Sequence, residues 1–270
     1  YLSSRGITKE SIDKFQIGYA SSSNDTINYL KNNFFDLSMA KELGIIDSGS
    51  NGLYARFIER ITFPIFLQSG KLVGFGGRTI SGHNAKYVNS PATKLFNKSA
   101  LLFGYNLARD SIYQSKEIII TEGYLDVIML HQAGFANSVA TLGTALTSQH
   151  IPLLKKSDAK VILGYDGDKA GMEAAYKASI LLAQNDFVGG VVIFQNAHDP
   201  ADYVKEGRVD ELKSLLLHPK YFVEFALDYI VKDNLGNYRF DINRPEEKQK
   251  IVVKIEEFLS TLKPVMAEEF

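Results

Sequence analysis

The sequence predicts an α/β protein with a parallel sheet at its centre, on three observations. Between Glu117 and Phe194, short β-branched runs at 118–121, 138–141, 160–164 and 188–194 alternate with stretches of helical period, the pattern of βαβ units. Two of these runs stop abruptly at glycine and carboxylates, in I-I-I-T-E-G-Y-L-D (Ile118 to Asp126) and V-I-L-G-Y-D-G-D (Val161 to Asp168). The flanks differ from the centre: a mixed α+β, basic stretch comes first and a helical stretch last. Three subdomains are expected, at 1–116, 117–210 and 211–270.

Taken in order, 1–43 reads as helical and mixed. Thr8 is a good N-cap for a first helix containing Ser11, Ile12 and Phe15. Ser23-Asn24-Asp25 reads as a break, 26–33 as a second short helix, and Asp36 as the start of a third that ends at Gly44. From Ile61 the period changes. I-T-F-P-I-F-L, a turn at 68–71 and L-V-G-F-G-G-R form an expected hairpin, with Pro64 pointing to an edge or bulged strand. Gly74, Gly76 and Gly77 leave room for another backbone or a ligand. The stretch 81–98 is a long polar loop with interleaved cations and aromatics, a composition suited to single-stranded nucleic acid.

The central unit follows. Its expected helices cover 125–132, closed by Gly134, then 147–155, opened by Thr147 and His150, and 170–184. Beyond it, 209–217 and 221–232 are amphipathic, 234–237 is a turn, and Pro245 opens a helix over 246–262 with Ile251, Ile255, Phe258 and Leu262 on one face.

Composition bounds the function. With 270 residues, 45% hydrophobic, the chain can build a sizeable core. No run of about 18 apolar residues suggests a membrane span, and no secretory leader is visible. Cysteine is absent, which excludes a thiolate zinc site and fits a reducing cytosol. A start at Tyr1 suggests a piece of a longer protein. The net charge of −1 hides an asymmetry. Positions 56–116 carry nine Lys/Arg against two Asp/Glu, and 117–211 carry seven against thirteen. An acidic, metal-loaded site beside a basic surface suits a polyanion. P-loop and dinucleotide fingerprints are missing, and an EF-hand starting at Asp166 fails because Lys177 stands where its last ligand should be.

The acidic clusters carry the chemistry. Asp166 and Asp168, two apart at a strand end, can reach one ion. Glu122 ends a neighbouring strand, with Asp126 one helical turn later. D-P-A-D (Asp199 to Asp202) puts a third acidic turn after the fourth strand. One Asp-Gly-Asp is more often a turn or helix cap. Three acidic turns at equivalent strand ends favour a divalent-metal site for phosphate chemistry, because Mg²⁺ uses one or two carboxylates, waters and substrate phosphate.

E-G-Y-L-D, L-G-T, Y-D-G-D-K-A-G and D-P-A-D together resemble the Toprim module. With Y-L-S-S-R-G at the start, E-R-I-T-F-P-I, G-F-G-G-R and K-Y-V-N-S-P-A-T ahead of it, the whole chain resembles the catalytic core of bacterial DnaG-type primases. The resemblance implies a nucleotidyltransferase of DNA replication that makes short RNA primers on single-stranded DNA from ribonucleoside triphosphates, using Mg²⁺ or Mn²⁺. It implies Glu122, Asp166 and Asp168 as the central acids, with Asp126 and Asp199 in support and Glu122 open to a ligand or a general-base role. Arg5, Arg78, Lys86, Asn89 and Lys98 match the family's basic groove for template or nucleotide. It further implies a zinc-binding domain before this chain, a domain for the replicative helicase after it, and a cytoplasmic place at the replication fork. One departure is that Ala201 occupies a position where primases often have Asp, and Asp202 follows it. The alternatives are a Toprim nuclease or topoisomerase fragment, and a non-catalytic module whose acids only cap helices.

Overall fold

The computed structural model describes residues 1–50, 52–82, 85–194, 199–232, 237–239, 241 and 243–263. A 3₁₀ turn (Ser3–Arg5) leads into α1 (Lys9–Lys14), β1 (Gly18–Ala20), α2 (Ser23–Asn32), α3 (Leu37–Glu42), β2 (Ile46–Gly49) and β3 (Gly52–Ala55). Then come β4 (Arg60–Phe66), β5 (Leu72–Thr79), β6 (Tyr87–Asn89) and α4 (Tyr105–Ser115). The central unit comprises β7 (Glu117–Thr121), α5 (Tyr124–Gln132), β8 (Ser138–Ala140), α6 (Ile151–Ser157), β9 (Lys160–Asp166), α7 (Lys169–Gln184) and β10 (Gly189–Phe194). The chain continues with α8 (Pro200–Lys205), α9 (Val209–Leu217), β11 (Lys220–Tyr221), α10 (Phe222–Val231) and α11 (Pro245–Leu259).

The expected parallel sheet is present, in the order β11-β10-β9-β7-β8. Parallel strands need crossovers, and α5, α6 and α7 supply them. Both faces are covered, which explains the continuous apolar runs. Ile118, Ile120, Val161, Leu163 and Tyr165 face α4, α6, α7 and α10, whereas Ile119, Ile162, Val192 and Phe194 face α8 and α9. Both edges are engaged. The two-residue β11 runs antiparallel to β10, and Phe103 exchanges backbone hydrogen bonds with Ala140 of β8.

Ahead of this unit lies an antiparallel sheet, β1-β4-β5-β6, that contains the expected hairpin. β4 is an inner strand, but β1 pairs only with Arg60, Ile61 and Thr62, so Pro64 has a strand partner on one side alone. A register shift follows between Ile65 and Phe66. The glycines of β5 admit neither backbone nor ligand; each leaves space for an aromatic ring. A Cβ at Gly74 would meet Phe96 at 2.8 Å, one at Gly76 would meet Tyr124 at 2.4 Å, and one at Gly77 would meet Phe57 at 2.5 Å. The core formed by Phe63, Ile65, Val73, Phe96, Tyr124, Leu125 and Ile128 therefore joins the antiparallel sheet to α5. At the far end, Phe222, Phe225, Phe258 and Leu262 share a core with Ala175 and Leu182 of α7.

Several local expectations are corrected. The break expected at Ser23 to Asp25 is the first turn of α2, with Ser22 and Asp25 forming a capping box. The short strands β1, β2 and β3 lie in a region read as helical or left unassigned. β6 lies inside the stretch expected to be a polar loop, α4 was not anticipated, and the acidic turn at Asp199 opens α8. The last helix ends at Leu259 rather than 262, although Leu262 is buried. The turn expected at 234–237 lies mostly outside the described residues.

Gly76→Ala forces a methyl group into the Tyr124 ring, which is already packed against Phe63 and Phe103. The expected loss is about 1–3 kcal/mol of unfolding free energy by urea titration; an unchanged midpoint would show that the sheets can separate there.

Candidate active site

β7 and β9 are parallel neighbours, so their carboxyl ends present Glu122 and Asp166 side by side. Asp166 is the last residue of β9, and its backbone N–H donates to Glu122 Oε1 at 3.4 Å. Asp168 is the N-cap of α7 and accepts from the Gly171 N–H at 2.7 Å. Gly171 allows that approach: a Cβ there would lie 2.3 Å from the Asp166 carbonyl oxygen and 3.0 Å from Glu122 Oε1. Asp126, buried in the first turn of α5, accepts from the Gly123 N–H at 3.1 Å. Asp199 caps α8, accepting from the Asp202 N–H at 2.8 Å. The helix-cap reading of Asp126, Asp168 and Asp199 is thus correct as local structure, and it is compatible with convergence.

Convergence shows in the electrostatics. Burial, then repulsion from Glu122, Asp199, Asp168 and Asp202, pushes the Asp166 carboxyl up to about 7. Burial raises Glu122, with Asp168 adding to the effect and the Asp166 N–H opposing it. Asp126 is raised far above the usual carboxylate range by burial first and then by Asp199, Asp166 and Glu122. Asp199 is raised by burial and by Asp202, while Arg5 acts in the opposite direction. Four acids from three strand ends therefore share one electrostatic environment with Asp168 and Asp202. Among the described residues, no three His, Asp or Glu side chains form a preformed metal cage. An open site of one or two carboxylates is what Mg²⁺ takes when phosphate and water complete its shell, so the donor set fits a hard divalent cation.

The basic residues are distributed less uniformly. Arg5 belongs electrostatically to the acids, through Asp199. Arg78, on β5, has its guanidinium over the rings of Tyr1 (4.5 Å) and Tyr87 (5.3 Å). Its Nη1 donates to the Tyr87 hydroxyl at 2.9 Å, and its buried Nε has no partner among the described residues. Lys86 and Lys98 are exposed. Asn89 faces inward: it accepts from the Tyr124 hydroxyl at 2.5 Å and donates to the Leu142 carbonyl at 2.7 Å. Ala201 is buried in the apolar core, while Asp202 reciprocates the cap of Asp199 and repels Asp166. Sequence reasoning missed Tyr1 and Tyr87, which hold Arg78, and Tyr124. Its only signal for Tyr124 was the position beside Glu122 in E-G-Y.

The segment that sets these carboxylates at the carboxyl ends of adjacent parallel strands is of the Toprim-like class: the family model so described matches residues 119–204. A second model, the N-terminal domain of the DNA primase catalytic core, matches residues 1–109. The chain belongs to the DnaG-type DNA primases and corresponds to their catalytic core. It is 46% identical to the DNA primase of Helicobacter pylori, an alignment covering all of this chain and 47% of that protein. It is also similar to a crystallised DNA primase domain from Pseudomonas aeruginosa (30% identity, TM-score 0.85, 97% of this chain and 82% of that one). A DnaG primase catalytic domain solved bound to single-stranded DNA gives a TM-score of 0.87 at 27% identity, covering 100% of this chain and 84% of that one. The chain spans about half the length of the curated relatives it matches.

Between pH 3.8 and about 7 the folded protein holds a proton on Asp166 that the unfolded chain has released, so this group destabilises the fold as pH rises and does so fully above about 7. Without divalent metal at pH 8, Asp166→Asn is expected to raise unfolding free energy by ~1–2 kcal/mol after allowance for solvent screening. The gain should vanish near pH 4; equal stability of the two proteins at both pH values would refute the crowding of charge at this position.

Proposed function

We propose that this chain is the polymerase core of a primase, a DNA-templated nucleotidyltransferase that makes short RNA primers on single-stranded DNA in the cytoplasm. The observation that carries the reading is the meeting of Glu122, Asp166, Asp126 and Asp199 beside Asp168, next to the strand that carries Arg78, within a chain of the primase family. The subdomain division at 1–116, 117–210 and 211–270 is part of the same proposal, as is binding of a replicative helicase by a further domain.

In the proposed reaction a primer 3′-hydroxyl attacks the α-phosphorus of a ribonucleoside triphosphate. The new P–O bond forms as the bond to the β-phosphate breaks, pyrophosphate leaves, and the hydroxyl proton passes to solvent or to a carboxylate. Mg²⁺ or Mn²⁺ bound at these acids would neutralise phosphate charge as a Lewis acid. The protein contributes positioning. Glu122 is oriented by the Asp166 N–H and can serve as ligand or as proton acceptor. Asp168 is fixed by its cap on α7, and Asp126 and Asp199, whose ionisation burial opposes, would add negative potential once a cation is bound. Arg78, Lys86 and Lys98 hold template or nucleotide phosphates, and Arg5 offsets the charge of Asp199. A cation is also the physical remedy for carboxylates pushed this far from their ordinary ionisation.

Asparagine also caps helices, so Asp168→Asn should leave the fold intact. Incorporation of labelled ribonucleotide on a primed single-stranded template with Mg²⁺ is expected to fall by about 100-fold or more. Full activity in that variant would remove Asp168 from the site. End-labelled DNA incubated with metal but no nucleotides is expected to stay intact; cleavage dependent on Asp168 would replace the polymerase with a nuclease.

A further inference from the structure

A run of contacts leads from the basic strand to the acidic cluster without including a carboxylate. Tyr87, which accepts from Arg78, tilts against Tyr124 with ring centroids 5.9 Å apart. Tyr124 is the first residue of α5, two positions beyond Glu122. Its ring lies flat on Phe63 of β4 (4.9 Å, 2°) and edge-on to Phe103 (4.7 Å, 84°). Its hydroxyl donates to Asn89 Oδ1, and Asn89 Nδ2 donates to the Leu142 carbonyl. The Asn89 carbonyl in turn accepts from Arg56 Nε at 3.0 Å. One side-chain amide therefore ties together β6, the first turn of α5 and the segment just after β8.

Burial of apolar surface does not require this pair. Phenylalanine at 124 would fill the same volume against the same rings. What the hydroxyl and amide add is direction, because a hydrogen bond fixes orientation where ring packing tolerates sliding. The elements they join are the ones that matter for a long anionic substrate. The first turn of α5 carries Asp126 and follows Glu122, while β6 and its neighbour β5 carry the segment of Lys86 and Arg78.

We propose that Tyr124 and Asn89 form a clasp between the two sheets that holds the basic strip in register with the carboxylates, making both of them positioning residues. This rests on the nucleotidyl-transfer reading above. A nucleoside triphosphate would meet both sides, with its reacting phosphorus at the acids and its outer phosphates at the cations. Loss of register leaves each side able to bind its own part, so ground-state affinity persists while in-line geometry fails. Misplacement by about 1 Å can slow a reaction by on the order of 10².

The test uses a pre-annealed primer–template with Mg²⁺ and a single ribonucleotide. It measures kcat and KM for wild type, Tyr124→Phe, Asn89→Ala and the double variant, with urea unfolding of each. The expected result is a kcat lower by about tenfold in each single variant, KM within about twofold, and a double variant no slower than the worse single one. All four should remain folded under assay conditions. Tyr124→Phe keeps the ring stack and decides the outcome alone should Asn89→Ala not fold. A wild-type kcat in Tyr124→Phe, effects that multiply in the double variant, or a rise in KM with kcat intact would each overturn the clasp. A wild-type protein that incorporates nothing would overturn the polymerase reading itself, a result distinct from an active wild type with indifferent variants.

Discussion

Four of the five acids at the centre of this protein accept from a backbone N–H, and the fifth, Asp166, supplies one of those donors from its own backbone. Asp166 donates to Glu122, Gly123 to Asp126, Gly171 to Asp168 and Asp202 to Asp199. Like charges at this density would separate if they stood on free side chains. Here the donors sit at the end of β9 and at the N-terminal ends of α5, α7 and α8, where N–H groups lack a carbonyl partner four residues back in the helix and the helix dipole favours negative charge. The fold thus assembles the acids with the same groups that start its helices. The two roles, cap and functional acid, are not competitors: a carboxylate has enough acceptor capacity for both.

The positive side is built by different means. Arg78 lies against two aromatic rings, and Arg60, buried, donates to the Gly77 and Ala85 carbonyls and so braces the strand that carries Arg78. Aromatic packing and glycine-made clearance bring that sheet onto α5, so the approach of the cations to the acids depends on an apolar interface.

The parallel core was legible because buried strands read as β-branched runs, and their ends were marked by glycine and carboxylates. The acids were legible for the same reason. The strands β1, β2 and β3 were not. Segments such as Ile46-Asp-Ser-Gly have too few apolar residues to show a period of two, and they become strands only through pairing with partners elsewhere. Ser23 to Asp25 was misread because residues that favour turns also favour the first turn of a helix. Asn89 was visible as a polar residue in a basic stretch, but nothing local reveals that its amide faces inward. Its partners Tyr124 and Leu142 lie 35 and 53 residues away.

The engaged edges of the parallel sheet carry a consequence of their own. Parallel strands rich in Ile and Val are the kind of surface that recruits further strands when their outer backbone lies open. Here a two-residue strand occupies Gly190 and Val191 on one side, and a bridge from Phe103 occupies Ala140 on the other. A further strand running the length of either edge would first have to displace the partner that already occupies part of it.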